Sequence, residues 1–252
     1  MDKPSLFSIR RLSKTFSSGH KALSGIDLEI EAGPCLVIAG ANGSGKTVLI
    51  KIITGLLDAS SGEVFFQGRP LADALSGLRR AVGLVFQDAD AQIIGETVAE
   101  DTALGPKNLK LPKDVVNERV SAAIRAAGLE GKADFPARSL SGGEKRRLAV
   151  AGILAMGGET IIMDEPFANL DWPGVRSVLE IIVELKRDGK TVIILTHELE
   201  KTLALADRLV VVCDGKVVRD GEPEAVLDRL EPEYGVRDPR CSYRTVNDCL
   251  WL

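Results

Sequence analysis

Pro34-Cys-Leu-Val-Ile-Ala39, then Gly40-Ala-Asn-Gly-Ser-Gly-Lys-Thr47, then an apolar-rich stretch to residue 56, is the run that decides the fold. An apolar strand leads into a glycine-rich turn, and the turn opens a helix over 46–56. The glycines let the backbone curl so that successive N–H groups point at a phosphate, and the helix N-terminus adds its positive dipole end. Lys46 would reach the β- and γ-phosphates as a point charge, and the Thr47 hydroxyl would ligate Mg²⁺. Gly40, Ala41, Asn42, Gly43, Ser44, Gly45, Lys46 and Thr47 are therefore the expected nucleotide-binding residues. The competing account, a left-handed turn that happens to carry Lys-Thr, does not explain the strand before it and the helix after it.

A phosphate loop needs an acidic partner at the end of another buried strand. Thr160-Ile-Ile-Met-Asp-Glu165 supplies two carboxylates in succession. Asp164 suits Mg²⁺, as the strand-end Asp does in other P-loop NTPases, and Glu165 lies beyond the strand as general base for an attacking water. Alone, an apolar strand ending in Asp-Glu is a common start of a surface loop; beside a phosphate loop it is chemistry.

Outward from these anchors, the chain alternates. Residues 6–11, 25–31 and 62–68 mix apolar and polar side chains near period two, as strands of an antiparallel sheet do. A strand ends at Val85-Phe86. Residues 97–156 read as mostly helical, with Pro106, Pro112 and Pro136 as breaks. Strand and helix then alternate: strand 160–163, helix 173–187, strand 191–195, a helix after Glu198, strands 209–213 and 216–219. This predicts an α/β fold: a mostly parallel core sheet, an antiparallel β subdomain and an α-helical insertion. One domain over 1–252 is expected, with a core over 6–87 and 159–227, a helical part over 88–158 and a tail over 228–252.

The 252 residues carry 32 Lys+Arg against 36 Asp+Glu, a net charge of −4 that argues against coating a nucleic acid. The 45% hydrophobic content excludes disorder. No run reaches the ~20 apolar residues of a membrane helix, and Met1-Asp-Lys-Pro4 lacks a secretory layout. Cys35, Cys213, Cys241 and Cys249 have no zinc spacing, so free thiols in a reducing cytosol are expected.

Leu140-Ser-Gly-Gly-Glu144, followed by Lys145-Arg-Arg147, lies between the phosphate loop and the acidic strand. This order of motifs, closed by a later His197, resembles the ATP-binding cassette (ABC) ATPases, which are P-loop NTPases, over residues 6–227. The resemblance implies that Ser141, Gly142, Gly143 and Glu144 form the signature that grips the γ-phosphate of ATP held by another subunit. It implies that Gln87 ligates Mg²⁺ and links the site to the helical part, that Asp171 crosses the dimer interface, and that His197 contacts the γ-phosphate. Phe16 takes the place of the adenine-stacking aromatic, although strand packing would also explain it. Glu144 stands where Gln is commoner, Ala168-Asn-Leu-Asp171 where Ser-Ala-Leu-Asp is usual, Phe16 where Tyr is usual, and Gly157-Gly158 where a Pro-containing turn is commoner.

Phe86-Gln-Asp-Ala-Asp-Ala-Gln92, Thr97-Val-Ala-Glu-Asp101, Leu104-Gly-Pro106 and Asn108-Leu109 resemble the energy-coupling-factor group, the ATPases of cobalt, nickel, biotin and related importers. That group has Pro and Asp where Ala89 and Ala91 stand. The resemblance implies a motor at the cytoplasmic face of the membrane, with ATP and Mg²⁺. It implies a homodimer, or a heterodimer with a related ATPase, and a transmembrane subunit seated on residues 87–109. An ordinary capped helix would also explain 97–103. The alternative functions are a soluble assembly ATPase of iron–sulfur type or another class of ABC transporter; the interval from Lys46 to Ser141 leaves no room for the coiled-coil arms of DNA-repair relatives. The tail over 231–252 either packs on its own domain or forms a dimer contact.

Overall fold

Every residue of the strand Cys35–Ala39 is buried, because both of its faces are covered by other layers. The computed structural model describes residues 5–240. Its strands are β1 (Ser5–Thr15), β2 (Lys21–Glu31), β3 (Cys35–Ala39), β4 (Ser61–Phe66), β5 (Arg69–Pro70), β6 (Val82–Val85), β7 (Thr160–Asp164), β8 (Thr191–Thr196), β9 (Arg208–Cys213) and β10 (Lys216–Gly221). The α-helices are α1 (Lys46–Ile53), α2 (Leu71–Ala81), α3 (Val98–Asn108), α4 (Lys113–Ala126), α5 (Gly142–Ala155), α6 (Trp172–Arg187) and α7 (Pro223–Leu227).

Two sheets result. One is antiparallel, in the order β2-β1-β4-β5. The other runs β10-β9-β3-β8-β7-β6 and is parallel except for β10. Side chains alternate across the second sheet, which divides the core in two. Cys35, Val37, Ile161, Met163, Val192 and Ile194 face the layer built by α3, α4, α5 and α6. Leu36, Ile38, Ile162, Ile193 and Leu195 face α1, α2 and the antiparallel sheet.

Register brings four strand ends into one row. Ala39 pairs with Thr196, Leu195 with Asp164, and Met163 with Val85. Parallel strands ending together open a crevice at their carboxyl ends, where ligands collect in α/β sheets.

Two expectations fail locally, and one helix stands where none was expected. α3 runs through Pro106 to Asn108. The proline forfeits one backbone bond near the helix end, and it is buried in a helix that packs on α4 and α5. Pro112 and Pro136 do lie outside α-helices. The helix expected after Glu198 is two separate 3₁₀ turns, Leu199–Lys201 and Leu203–Leu205, parted by Thr202 at φ −122°. α2 falls where the sequence reading assigns no element, although Leu71, Ala74, Leu75 and Leu78 follow helical spacing with Asp73 in the first turn and Arg79 and Arg80 in the last.

Cys35 and Cys213 are free thiols, and burial pushes Cys35 up to about 11, so it is inert. The tail up to Arg240 packs on its own domain: Tyr234 rests against the core, Val236 is buried, Arg219 stacks on Tyr234, and Arg240 pairs with Asp228 at 2.8 Å. The rest of the suggested dimer contact, 241–252, lies outside the described residues. Among the described residues, no helix is long and apolar enough to cross a membrane.

Candidate nucleotide site

The turn between β3 and α1 has the required shape. Gly45 caps α1 at φ 108°, and a Cβ there would meet the Ala22 carbonyl oxygen at 2.6 Å, so only glycine fits. Lys46 Nζ donates to the carbonyls of Gly40 and Ala41 at 2.6 and 3.0 Å. Burial lowers the Lys46 pKa, while Glu165 and Asp164 nearby oppose the shift. The ammonium thus sits between its own loop and two acids.

Those acids close β7: Asp164 is its last residue and Glu165 the next. Thr47 Oγ1 donates to Asp164 Oδ2 at 2.9 Å, joining the two residues expected at the metal. Burial raises the Asp164 pKa, against the lowering effect of the Thr47 bond. Asp164 Oδ1 and Ser44 Oγ are buried without a protein partner. Unpaired buried oxygens are costly, so they are ready for a ligand. Glu165 takes φ +46°, a left-handed conformation that costs a non-glycine residue about 1 kcal/mol, with its N–H tied to Leu195 O at 2.9 Å. His197 follows β8, and its Nδ1 lies 2.9 Å from Glu165 Oε1.

A pocket of about 190 Å³ collects Phe16, residues 42–48, Gln87 and Glu165. Gly40 and Ala41 reach it through Lys46, Asp164 through Thr47, and His197 through Glu165. Phe16 is 37% exposed, so it is not a core strand residue, and the His20 ring lies nearly parallel to it at 6.3 Å. His20 lines the same pocket, a contribution the sequence reading misses because a lone His in a hairpin turn gives no signal.

Ser141, Gly142, Gly143 and Glu144 lie elsewhere, in a cleft of about 520 Å³ shared with Asp171. Ser141 caps α5, and Asp171 caps α6 by accepting from Gly174 N–H at 2.9 Å. Glu144 and Ser141 exchange hydrogen bonds as a capping box, so the carboxylate that stands where Gln is commoner has a job in the fold. Lys132 Nζ adds a bond of 2.5 Å. The Lys132 bond, with the Ser141 N–H, holds the Glu144 carboxyl down to about 2. A depressed carboxylate stabilises the fold above its unfolded value, and that contribution fades as pH falls toward the folded one. Glu144→Gln keeps the capping box and loses the ion pair, which is partly screened by solvent at Lys132. Urea unfolding is expected to show a loss of about 1 kcal/mol at pH 7. The gap should close between pH 4.5 and about 2; a gap unchanged with pH would contradict this.

Comparison with known proteins identifies the family and the fold. The family model described as "ABC transporter" matches residues 23–168. The chain is 40% identical over 233 residues to an energy-coupling factor transporter ATP-binding protein EcfA of Methanocaldococcus jannaschii, covering 90% of this chain and 84% of that one. It is 44% identical over 218 residues to an EcfA1 of Caldanaerobacter subterraneus, covering 85% and 78%. Among solved structures, cbiO1 of Clostridium perfringens, part of the transporter complex cbiONQ, superposes with TM-score 0.83 at 35% identity, covering 92% and 93%. A dimeric ATP-binding cassette bound to ADP and Pi superposes at 0.75 with 28% identity, covering 86% and 98%. With its phosphate loop, acidic strand end and signature helix in these places, the chain belongs to the ABC transporter family and is an ATPase of it.

Proposed function

We propose that this ATPase is the motor of an energy-coupling-factor importer, dimerising on MgATP at the cytoplasmic face of the membrane to drive uptake of a metal ion or vitamin. One observation carries the dimer: the phosphate-loop pocket and the signature cleft share no lining residue. ATP held by Lys46 would then meet the Ser141, Gly142 and Gly143 of a second copy; a similar solved cassette is dimeric.

ATP binds on the N–H groups of residues 40–47 with Phe16 at adenine. Thr47, Asp164 and Gln87 would hold Mg²⁺; these are hard oxygen donors, and the unpaired Asp164 Oδ1 fits such an ion or its water. When bound, Mg²⁺ neutralises charge on the β- and γ-phosphates. Glu165, kept in place by His197, takes a proton from the attacking water as the γ-phosphate departs. Loss of the γ-phosphate removes the anion that clamps the two copies, and the dimer opens. Opening passes from Gln87 into the helical part over 88–158 and reaches a transmembrane subunit through residues 87–109, with 6–87 and 159–227 as the nucleotide-binding core.

Affinity purification of the tagged chain from detergent-solubilised membranes of its native cell tests the transport reading. Co-purification of a polytopic membrane subunit, lost on Gln87→Ala or on charge reversal in 88–109, is expected. Recovery with a soluble scaffold alone would contradict it and favour an assembly ATPase.

A further inference from the structure

Arg146 has no part in the reading above, yet it is the side chain on which three segments of the site converge. It lies on α5 and is 6% exposed. Its Nη2 donates to Ala168 O at 2.6 Å and to Gln87 O at 3.3 Å, and its Nη1 donates to Gly142 O at 3.3 Å. Gln87 follows β6, Gly142 opens the helix that presents Ser141, and Ala168 starts the loop that carries Asp171. Asp88 and Asp90 face the guanidinium, but Asp90 is bonded by the neighbouring Lys145.

A buried cation bound mainly by main-chain carbonyls adds little net stability, because desolvation opposes what the bonds return. An apolar side chain of similar volume would fill the same space at less cost. What arginine alone supplies is a rigid, planar fork that reaches several acceptors in fixed directions. Here the acceptors belong to the core, the helical part and the dimer-facing loop.

We propose that Arg146 is a positioning residue that locks Gln87, Ser141–Gly143 and the Asp171 loop in one register, so that the face receiving the partner's ATP is assembled before the dimer closes. This rests on the dimer reading above. Among the described residues, the one link from Arg146 to the nucleotide pocket is the 3.3 Å bond to the main-chain carbonyl of Gln87, which leaves the Gln87 side chain free. Loss of Arg146 should therefore disturb nucleotide binding within one copy far less than pairing of two.

The test uses the full chain carrying Glu165→Gln, titrated with MgATP. Size-exclusion chromatography with light scattering reads dimer formation, and fluorescence titration at concentrations too dilute for pairing reads nucleotide affinity. Adding Arg146→Met should leave the affinity within about twofold and raise the ATP needed for half-dimerisation about tenfold or more. Arg146→Lys, which keeps the charge without the fork, should show a smaller rise, and it decides the matter if the Met variant fails to fold. Dimerisation at the parent's ATP concentration in these variants would overturn the proposal. So would a loss of affinity equal to the loss of dimer, since Arg146 would then merely hold up the core. A Glu165→Gln parent that stays monomeric at saturating MgATP would overturn the dimer reading itself, and the Arg146 role with it.

Discussion

Glu165→Gln is expected to lower steady-state ATP hydrolysis by about 10³-fold while leaving MgATP bound. The change is isosteric, so the φ of +46° and the N–H bond to Leu195 O are undisturbed. The amide oxygen still accepts from His197 Nδ1, which lies 2.9 Å from Oε1 of the native carboxylate. Only the capacity to take a proton from water is removed. Binding continues, the γ-phosphate stays, and ATP-bound dimers accumulate. Phosphate release checks the rate and size-exclusion chromatography checks the trapped dimer. Near-native turnover would remove Glu165 from the role of base.

Lys46→Ala should have the other large effect, weakening MgATP binding by roughly 10²-fold, the size expected for losing a charged hydrogen bond to phosphate. The substitution also removes the cation whose charge offsets those of Asp164 and Glu165. Two buried acids then face the incoming triphosphate with less compensation, so the loss falls on affinity rather than on folding. The carbonyls of Gly40 and Ala41 lose a donor, and the space left by the lysine side chain beside the pocket admits water to replace it. Calorimetric titration reads the change. Affinity within threefold of the native chain would contradict the assignment.

Much of the site was legible because it obeys local rules. The phosphate loop is contiguous, and Gln87, Asp164, Glu165 and His197 each follow a recognisable apolar strand. The order that brings those strands together, β3-β8-β7-β6, is a long-range property with no local signal. α3 defied its proline because the break falls one turn from the helix end, where little bonding remains to lose. Two 3₁₀ turns replaced a helix because Thr202 is fully buried in a conformation that no α-helix allows. Arg146 was hidden in the basic run Lys145-Arg-Arg147, where nothing in the sequence marks one of three adjacent cations as buried. In the fold Lys145 is bonded to Asp90, Arg147 to Gly128 O, and Arg146 points inward. Glu144 reads as a departure from the usual signature until Lys132, distant in the pattern, is seen to hold it.

The central claim is that each hydrolytic site is shared between two copies, with Lys46 from one and the signature from the other. Mixing two inactive variants tests it directly. Lys46→Ala disables a phosphate loop. Gly143→Asp places a carboxylate where the partner's γ-phosphate must sit, on a helix start where a Cβ already meets Gly174 Cα at 3.3 Å. In a mixed dimer one site receives both lesions, and the other keeps an intact Lys46 and an intact signature. Random pairing at equal amounts makes about half of the dimers mixed, each with one working site, so about a quarter of native ATPase activity should return on mixing. Activity no higher than the sum of the two inactive proteins, with mixed dimers present, would contradict the shared site.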